Sequence, residues 1–148
     1  MTIADLYGQL ILDHHKHPRN KGSVPDATHQ ALGRNPVCGD AITLSLRVKD
    51  GVVSDIQFQG EGCAISQASS SLMTEVLMGK TRDEAEQLMG TMHELLTGEE
   101  EVAAGALPPK LLAFAHVKDF PSRVKCAALP WRTLESALKK EGTVTTEE

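Results

Sequence analysis

Between residues 42 and 48 the chain alternates apolar and polar positions. Ile42, Leu44, Leu46 and Val48 are apolar, and Thr43, Ser45 and Arg47 stand between them. A period of two puts one set on a core face and the other in water, so the segment reads as a half-buried strand. Asp50-Gly51 follows, the dipeptide that best closes a two-residue hairpin. The return strand runs from about Val52 to Gln59, with Ile56 and Phe58 on one face. A third strand around Thr28–Leu32 is signalled only weakly.

Helical spacing governs most of the rest. Residues 4–15 carry Leu6, Leu10 and Ile11 on one face, and the helix ends before Pro18. Gly60-Glu61-Gly62 breaks the hairpin's second strand. Ile65, Ala68, Leu72 and Val76 then mark a helix that stops at Gly79. Thr81 to Glu84 is a capping-box pattern that opens the next helix, with Ala85, Leu88, Met89 and Met92 as its apolar face. Residues 97–106 read as loop, Pro108-Pro109 starts a short helix, and Pro121 separates it from Cys126. A last helix is expected over about 128–140, with 141–148 a frayed tail. A small antiparallel sheet over about 40–60, packed with several helices, makes an α+β domain spanning 1–140. The run Ser69-Ser70-Ser71 reads as a tightly packed helix face. Met73, Met78, Met89 and Met92 read as core, and His14, His15 and His17 as polar surface.

The composition narrows the function classes. Aromatics make up 3% of 148 residues, which leaves few stacking platforms for single strands of nucleic acid. The net charge is −5 and no basic stripe is present, so nucleic acid is not an expected partner. No apolar run approaches the ~18 residues that a membrane span needs. The N-terminus lacks the basic region of a signal peptide, and a cytoplasmic location is expected. In a reducing compartment three cysteines are core residues, metal ligands or reactive thiols rather than a disulfide framework.

Each cysteine stands at a junction. Cys38 precedes the first strand of the hairpin, Cys63 follows the second and opens a helix, and Cys126 is expected to open the last helix. Cys38 lies thirteen residues before Gly51 and Cys63 twelve after it, so the hairpin brings both to its open end. Asp40, two residues from Cys38 in an extended segment, projects to the same side. Three thiolates and a carboxylate form a closed tetrahedral set that Zn²⁺ accepts, and soft sulfur ligands also suit iron–sulfur clusters. The dipole at a helix start would favour the thiolate at Cys63 and Cys126, and Arg123 and Lys125 would offset the site's negative charge. Against this stand the plainer readings. Any one cysteine can be a small buried hydrophobe, and a purely structural zinc module or a cysteine hydrolase would use the same thiols. No sequence feature selects the Cys–His pair that a hydrolase needs.

Four segments together resemble a known family: Asp13-His14-His15 with Pro18-Arg19-Asn20, Asn35-Pro36-Val37-Cys38-Gly39-Asp40, Gly60 to Ser71, and Arg123-Val124-Lys125-Cys126-Ala127. The pattern is similar to the U-type iron–sulfur cluster assembly proteins, which include IscU, SufU and NifU N-terminal members, over roughly residues 3–138. The resemblance implies a SufE/IscU-like fold with Cys38, Asp40, Cys63 and Cys126 as metal ligands. The likeness to SufU is the stronger, because Lys125 stands where an IscU scaffold carries a His. The long Cys63–Cys126 gap points the same way. Leu107-Pro108-Pro109-Lys110 lacks the Val of the chaperone-recognition motif of IscU. SufU-like members imply bound zinc and receipt of persulfide sulfur from a cysteine desulfurase, with Cys38 as acceptor and Arg123 as a contact to that partner. Such a protein is a sulfur carrier that feeds downstream cluster-assembly proteins, not a stand-alone enzyme. The alternative, IscU-like, is a scaffold on which a [2Fe–2S] cluster is built on the same thiols.

Overall fold

A computed structural model describes residues 3–36, 39–98, 102, 105–140 and 143–145. The order is helix α1 (Ile3–Lys16), strands β1 (His29–Asn35), β2 (Asp40–Lys49) and β3 (Val52–Glu61), then helices α2 (Ala64–Leu77) and α3 (Arg82–Thr97). A 3-10 segment (Pro109–Asp119), α4 (Pro121–Lys139) and β4 (Thr143–Thr145) complete it. The four strands lie in the order β3-β2-β1-β4. The first three pair antiparallel, and β4 runs parallel to β1.

The expected hairpin is present. Asp50 and Gly51 both have positive φ, 54° and 77°, as the tight primed turn requires. The weakly signalled strand is longer than the sequence suggests. It pairs with β2 along its whole length, with Asn35 opposite Asp40. Asn35 and Asp40 thus pair across the ends of β1 and β2. In the segment expected to fray, Thr143–Thr145 align with Leu32–Arg34.

The apolar face of the sheet, with Ile42, Leu44, Leu46, Ile56 and Phe58, packs into one core with Leu72, Met73, Met92, Phe114, Leu129 and Leu134. Thr81 caps α3 through the expected box, accepting from Glu84 N at 3.1 Å and donating its own N–H to Glu84 Oε1 at 3.0 Å. Two expectations fail here. Met78 lies at the end of α2 and is exposed, not core. The last helix begins at Pro121, whose ring fits the first turn of a helix, and not at about residue 128; Pro121 still divides it from the short segment before it.

The serine run is buried as expected and forms a seam between helices. Ser69 Oγ donates to Ala127 O at 2.7 Å and accepts from Trp131 Nε1 at 3.2 Å, tying α2 to α4. Ser71 Oγ meets His14 Nδ1 at 2.7 Å and accepts from Arg19 N at 2.8 Å, tying α2 to α1. His14 is thus 1% exposed, a correction to its surface reading, while His15 and His17 are exposed. Small side chains at 69–71 let three helices approach closely enough for these bonds.

Candidate metal and sulfur site

Three local structures converge at one end of the sheet. Asp40 is the first residue of β2. Cys63 follows β3 and caps α2, where its sulfur accepts from Ser66 N at 3.5 Å. Cys126 comes from α4. One ligand atom each of Asp40, Cys63 and Cys126 lies within 4.8 Å of the other two. Asp40 and Cys126 are buried, and Cys63 is half-buried.

Cys126 does not open its helix. It is the sixth residue of α4, and its Sγ lies 3.6 Å from Ser122 O, one turn back. The helix-start argument therefore applies to Cys63 and not to Cys126. Pro130, four residues on, cannot supply the donor that a helix directs at the Cys126 carbonyl. Arg123 is exposed one turn before Cys126. Lys125 lines a groove of about 790 Å³ between α3 and α4 with Met89, Val124 and Trp131. Cys38 lies outside the described residues.

Residues that the sequence did not single out surround the cluster. Asp40 Oδ1 accepts from Cys63 N at 2.8 Å and from Ser66 Oγ at 3.2 Å, which joins β2 to the start of α2. Asn35 is fully buried, and its Nδ2 donates to Cys126 Sγ at 3.8 Å. Gly62 has φ +156°, and a Cβ there would run into the Asp40 carboxylate and the Ser66 hydroxyl. A glycine at 62 is what lets that carboxylate sit against the α2 N-terminus. Asn35 escaped notice because Asn-Pro reads as turn chemistry. Gly62 read only as a strand breaker.

The donor set fits a thiophilic cation. Two sulfurs and a carboxylate meet, and Asp40 Oδ2 is buried without a hydrogen-bond partner among the described residues. A buried carboxylate oxygen left unsatisfied is costly, and a metal ion is the partner that removes the cost. Two thiolates and a carboxylate with a fourth ligand make a tetrahedral zinc set, and a third thiolate would complete it. Cys38 stands two residues before Asp40 in the sequence.

An α+β domain with a thiol–carboxylate cluster at the end of its sheet offers side chains that could hold a metal ion. The chain belongs to the family described as NifU-like N terminal domain, whose model matches residues 6–127. It is 39% identical over 143 residues to the zinc-dependent sulfurtransferase SufU of Bacillus subtilis, a match covering 95% of this chain and 94% of that one. It is 42% identical over 140 residues to the iron–sulfur cluster assembly scaffold protein IscU of Thermotoga maritima, covering 95% and 97%. Among solved structures, a SUF-system assembly scaffold from Fervidobacterium islandicum superposes with a TM-score of 0.83 at 38% identity. That match covers 93% of this chain and 99% of that one. A NifU-like N-terminal structure from Brucella abortus gives 0.83 at 26% identity, over 93% and 95%. Both the α+β fold and the resemblance to U-type assembly proteins are borne out. No helix among the described residues is long and apolar enough to cross a membrane.

Proposed function

We propose that this chain is a sulfur carrier of iron–sulfur cluster assembly, holding zinc through Cys38, Asp40, Cys63 and Cys126 and receiving persulfide sulfur from a cysteine desulfurase. The convergence of Asp40, Cys63 and Cys126 within 4.8 Å, in a member of the NifU-like family, is the observation that carries it. Zinc in this site would keep the thiols deprotonated and offset their negative charge.

The chain's residues then do the rest. Cys38 is the proposed acceptor, because the connection that bears it is short and flanked by Pro36 and Gly39. Its thiolate attacks the outer sulfur of the donor's persulfide, and the donor's S–S bond breaks. The donor's inner sulfur leaves as a thiolate, while the outer sulfur and its proton stay on Cys38 as a new persulfide. Asp40 holds the start of α2 through Cys63 N and Ser66, so the start of β2 and Cys63 keep one geometry. Arg123, exposed one turn before Cys126, is the proposed contact for the desulfurase. The cytoplasm, where thiols stay reduced, is the proposed location.

The second reading is a scaffold that builds a [2Fe–2S] cluster on the same thiols, favoured by the 42% identity to the Thermotoga IscU. Sulfide release by a cysteine desulfurase, measured with zinc-loaded, apo and iron-reconstituted protein, separates the two. Stimulation by the zinc-loaded form is expected. Stimulation only by the iron-reconstituted form, with a cluster that transfers intact to an apo-ferredoxin, favours the scaffold. No stimulation by any form, with zinc bound, leaves a structural zinc module.

A further inference from the structure

We propose that Asn35 is a positioning residue whose amide N–H pins the Cys126 sulfur, making Cys126 the thiol that stays in place while sulfur passes through the others. The pinning stands on geometry alone. The passage of sulfur rests on the function proposed above.

Asn35 ends β1 directly opposite Asp40, and the next residue begins the connection that carries Cys38. It is fully buried, a position where a polar side chain is tolerated only if its groups find partners. Its Nδ2 donates to Cys126 Sγ at 3.8 Å, while its Oδ1 is buried with no partner among the described residues. An apolar side chain of similar size would fill the space without leaving a polar atom unpaired. The amide is therefore explained by its bond to sulfur and not by packing.

The two described thiols are treated differently. Cys63 is half-buried, and its donor is the backbone N–H of Ser66, part of the ordinary cap of α2. Cys126 is fully buried on a long helix that Ser69 fixes to α2 through the Ala127 carbonyl. A donor aimed at a sulfur draws on the electron density that would attack an electrophile. Burial denies a partner's persulfide a path to it. Both effects act on Cys126 together, so Asn35 divides the labour of the cluster: one thiol anchored, the remainder available.

The test follows the alkylation rate of each cysteine in the zinc-loaded full chain with iodoacetamide, mapped by mass spectrometry. Cys126 is expected to be the slowest. Asn35→Asp keeps the shape and removes the N–H, and Asn35→Ala removes both. In each, the rate at Cys126 relative to Cys63 should rise about tenfold, the scale of one lost hydrogen bond. Asn35→Ser, which retains a donor, should recover part of the protection. In cobalt-loaded protein the thiolate-to-metal absorption should shift in Asn35→Asp, a change that packing alone would not cause. Cys126 reacting faster than Cys63 in the native chain would overturn the proposal. So would unchanged relative rates in folded Asn35 variants. Persulfide mapped to Cys126 after incubation with desulfurase and cysteine would also overturn it. Persulfide on no cysteine would remove the sulfur-carrier reading but leave the alkylation test of Asn35 intact.

Discussion

The seam where α1 meets α2 and the cluster of Asp40, Cys63 and Cys126 are both buried and both polar, but their balance of donors and acceptors differs. At the seam, donors and acceptors are nearly matched. Arg19 N serves Ser71 Oγ, Asn20 Nδ2 serves Thr74 Oγ1 at 3.2 Å, and Thr74 Oγ1 serves Ser71 O at 2.8 Å. Among the described residues one ring nitrogen of the seam, His14 Nε2, is left over. At the site, acceptors are in excess among the described residues: two sulfurs and a carboxylate meet, and both Asp40 Oδ2 and Asn35 Oδ1 lack partners there. A matched polar cluster locks helices together, whereas an acceptor-rich one is arranged for a cation. Polarity and burial alone therefore do not mark a functional site here.

The largest break in that contrast should come from Gly62→Val. A branched side chain at φ +156° is strained and collides with the Asp40 carboxylate. We expect a loss of about 2–4 kcal/mol in chemical denaturation and no retained zinc. The corresponding change at Gly90 meets no atom within 4 Å, so Gly90→Ala serves as a control. A Gly62→Val protein that melts normally and keeps its metal would contradict the account of Asp40.

Asp40→Asn sharpens the contrast more gently. The amide preserves volume and an oxygen for Cys63 N and Ser66, but removes the charge. Zinc affinity in chelator competition should fall by at least about tenfold, since even outer partners of a metal ligand are worth 10–100-fold. The melting temperature of the apo form should change much less. Equal affinity would show that Asp40 is a cap and not a ligand.

The seam makes a pH prediction. Burial, followed by the charge of Arg19, holds His14 below the ordinary imidazole range, while Glu75 and Asp13 partly oppose the shift and Lys110 adds to it. Unfolded chain binds that proton near pH 6.5 and folded chain does not. Stability is thus full above about pH 6.5 and falls as the pH drops toward the lower folded value. His29, also lowered by burial, contributes in the same window. The melting temperature of apo protein should decline from pH 7.5 to 5.5, and His14→Gln should remove part of that decline. An identical decline in His14→Gln would leave the effect to His29 or other groups.

The hairpin, the α2 and α3 helices and the capping box were legible because each is written locally, in alternation or in a cap. Of the candidate site, Asp40 and Cys63 were legible from their places at the open end of the hairpin, whereas Cys126, expected to open a helix, lies within one. The supports of the site were not legible. Asn35, Gly62 and Ser66 look like turn and cap residues until β1 and β2 pair and α2 docks. The burial of His14 depends on Ser71, 57 residues away. The start of α4 was misread because Pro121 can stop one helix or begin another. Only packing decides which.

The smallest effect should come from the surface, and it calibrates the others. Lys139 Nζ and Glu135 Oε1 are 3.1 Å apart at an i,i+4 spacing on α4, but their side chains are 57% and 53% exposed. At that exposure water and salt screen the attraction, and fixing two long side chains costs entropy. Glu135→Gln should therefore change stability by less than about 0.5 kcal/mol. The change should shrink further in 0.5 M salt, where the Debye length is under ~10 Å. Metal affinity should not move, because the pair borders the α3–α4 groove and not the Cys126 side of the helix. A loss above about 1 kcal/mol would mean that the pair is coupled to the groove's other charges, among them Arg132. The contrast between matched seam and acceptor-rich site would then have to include a third polar network.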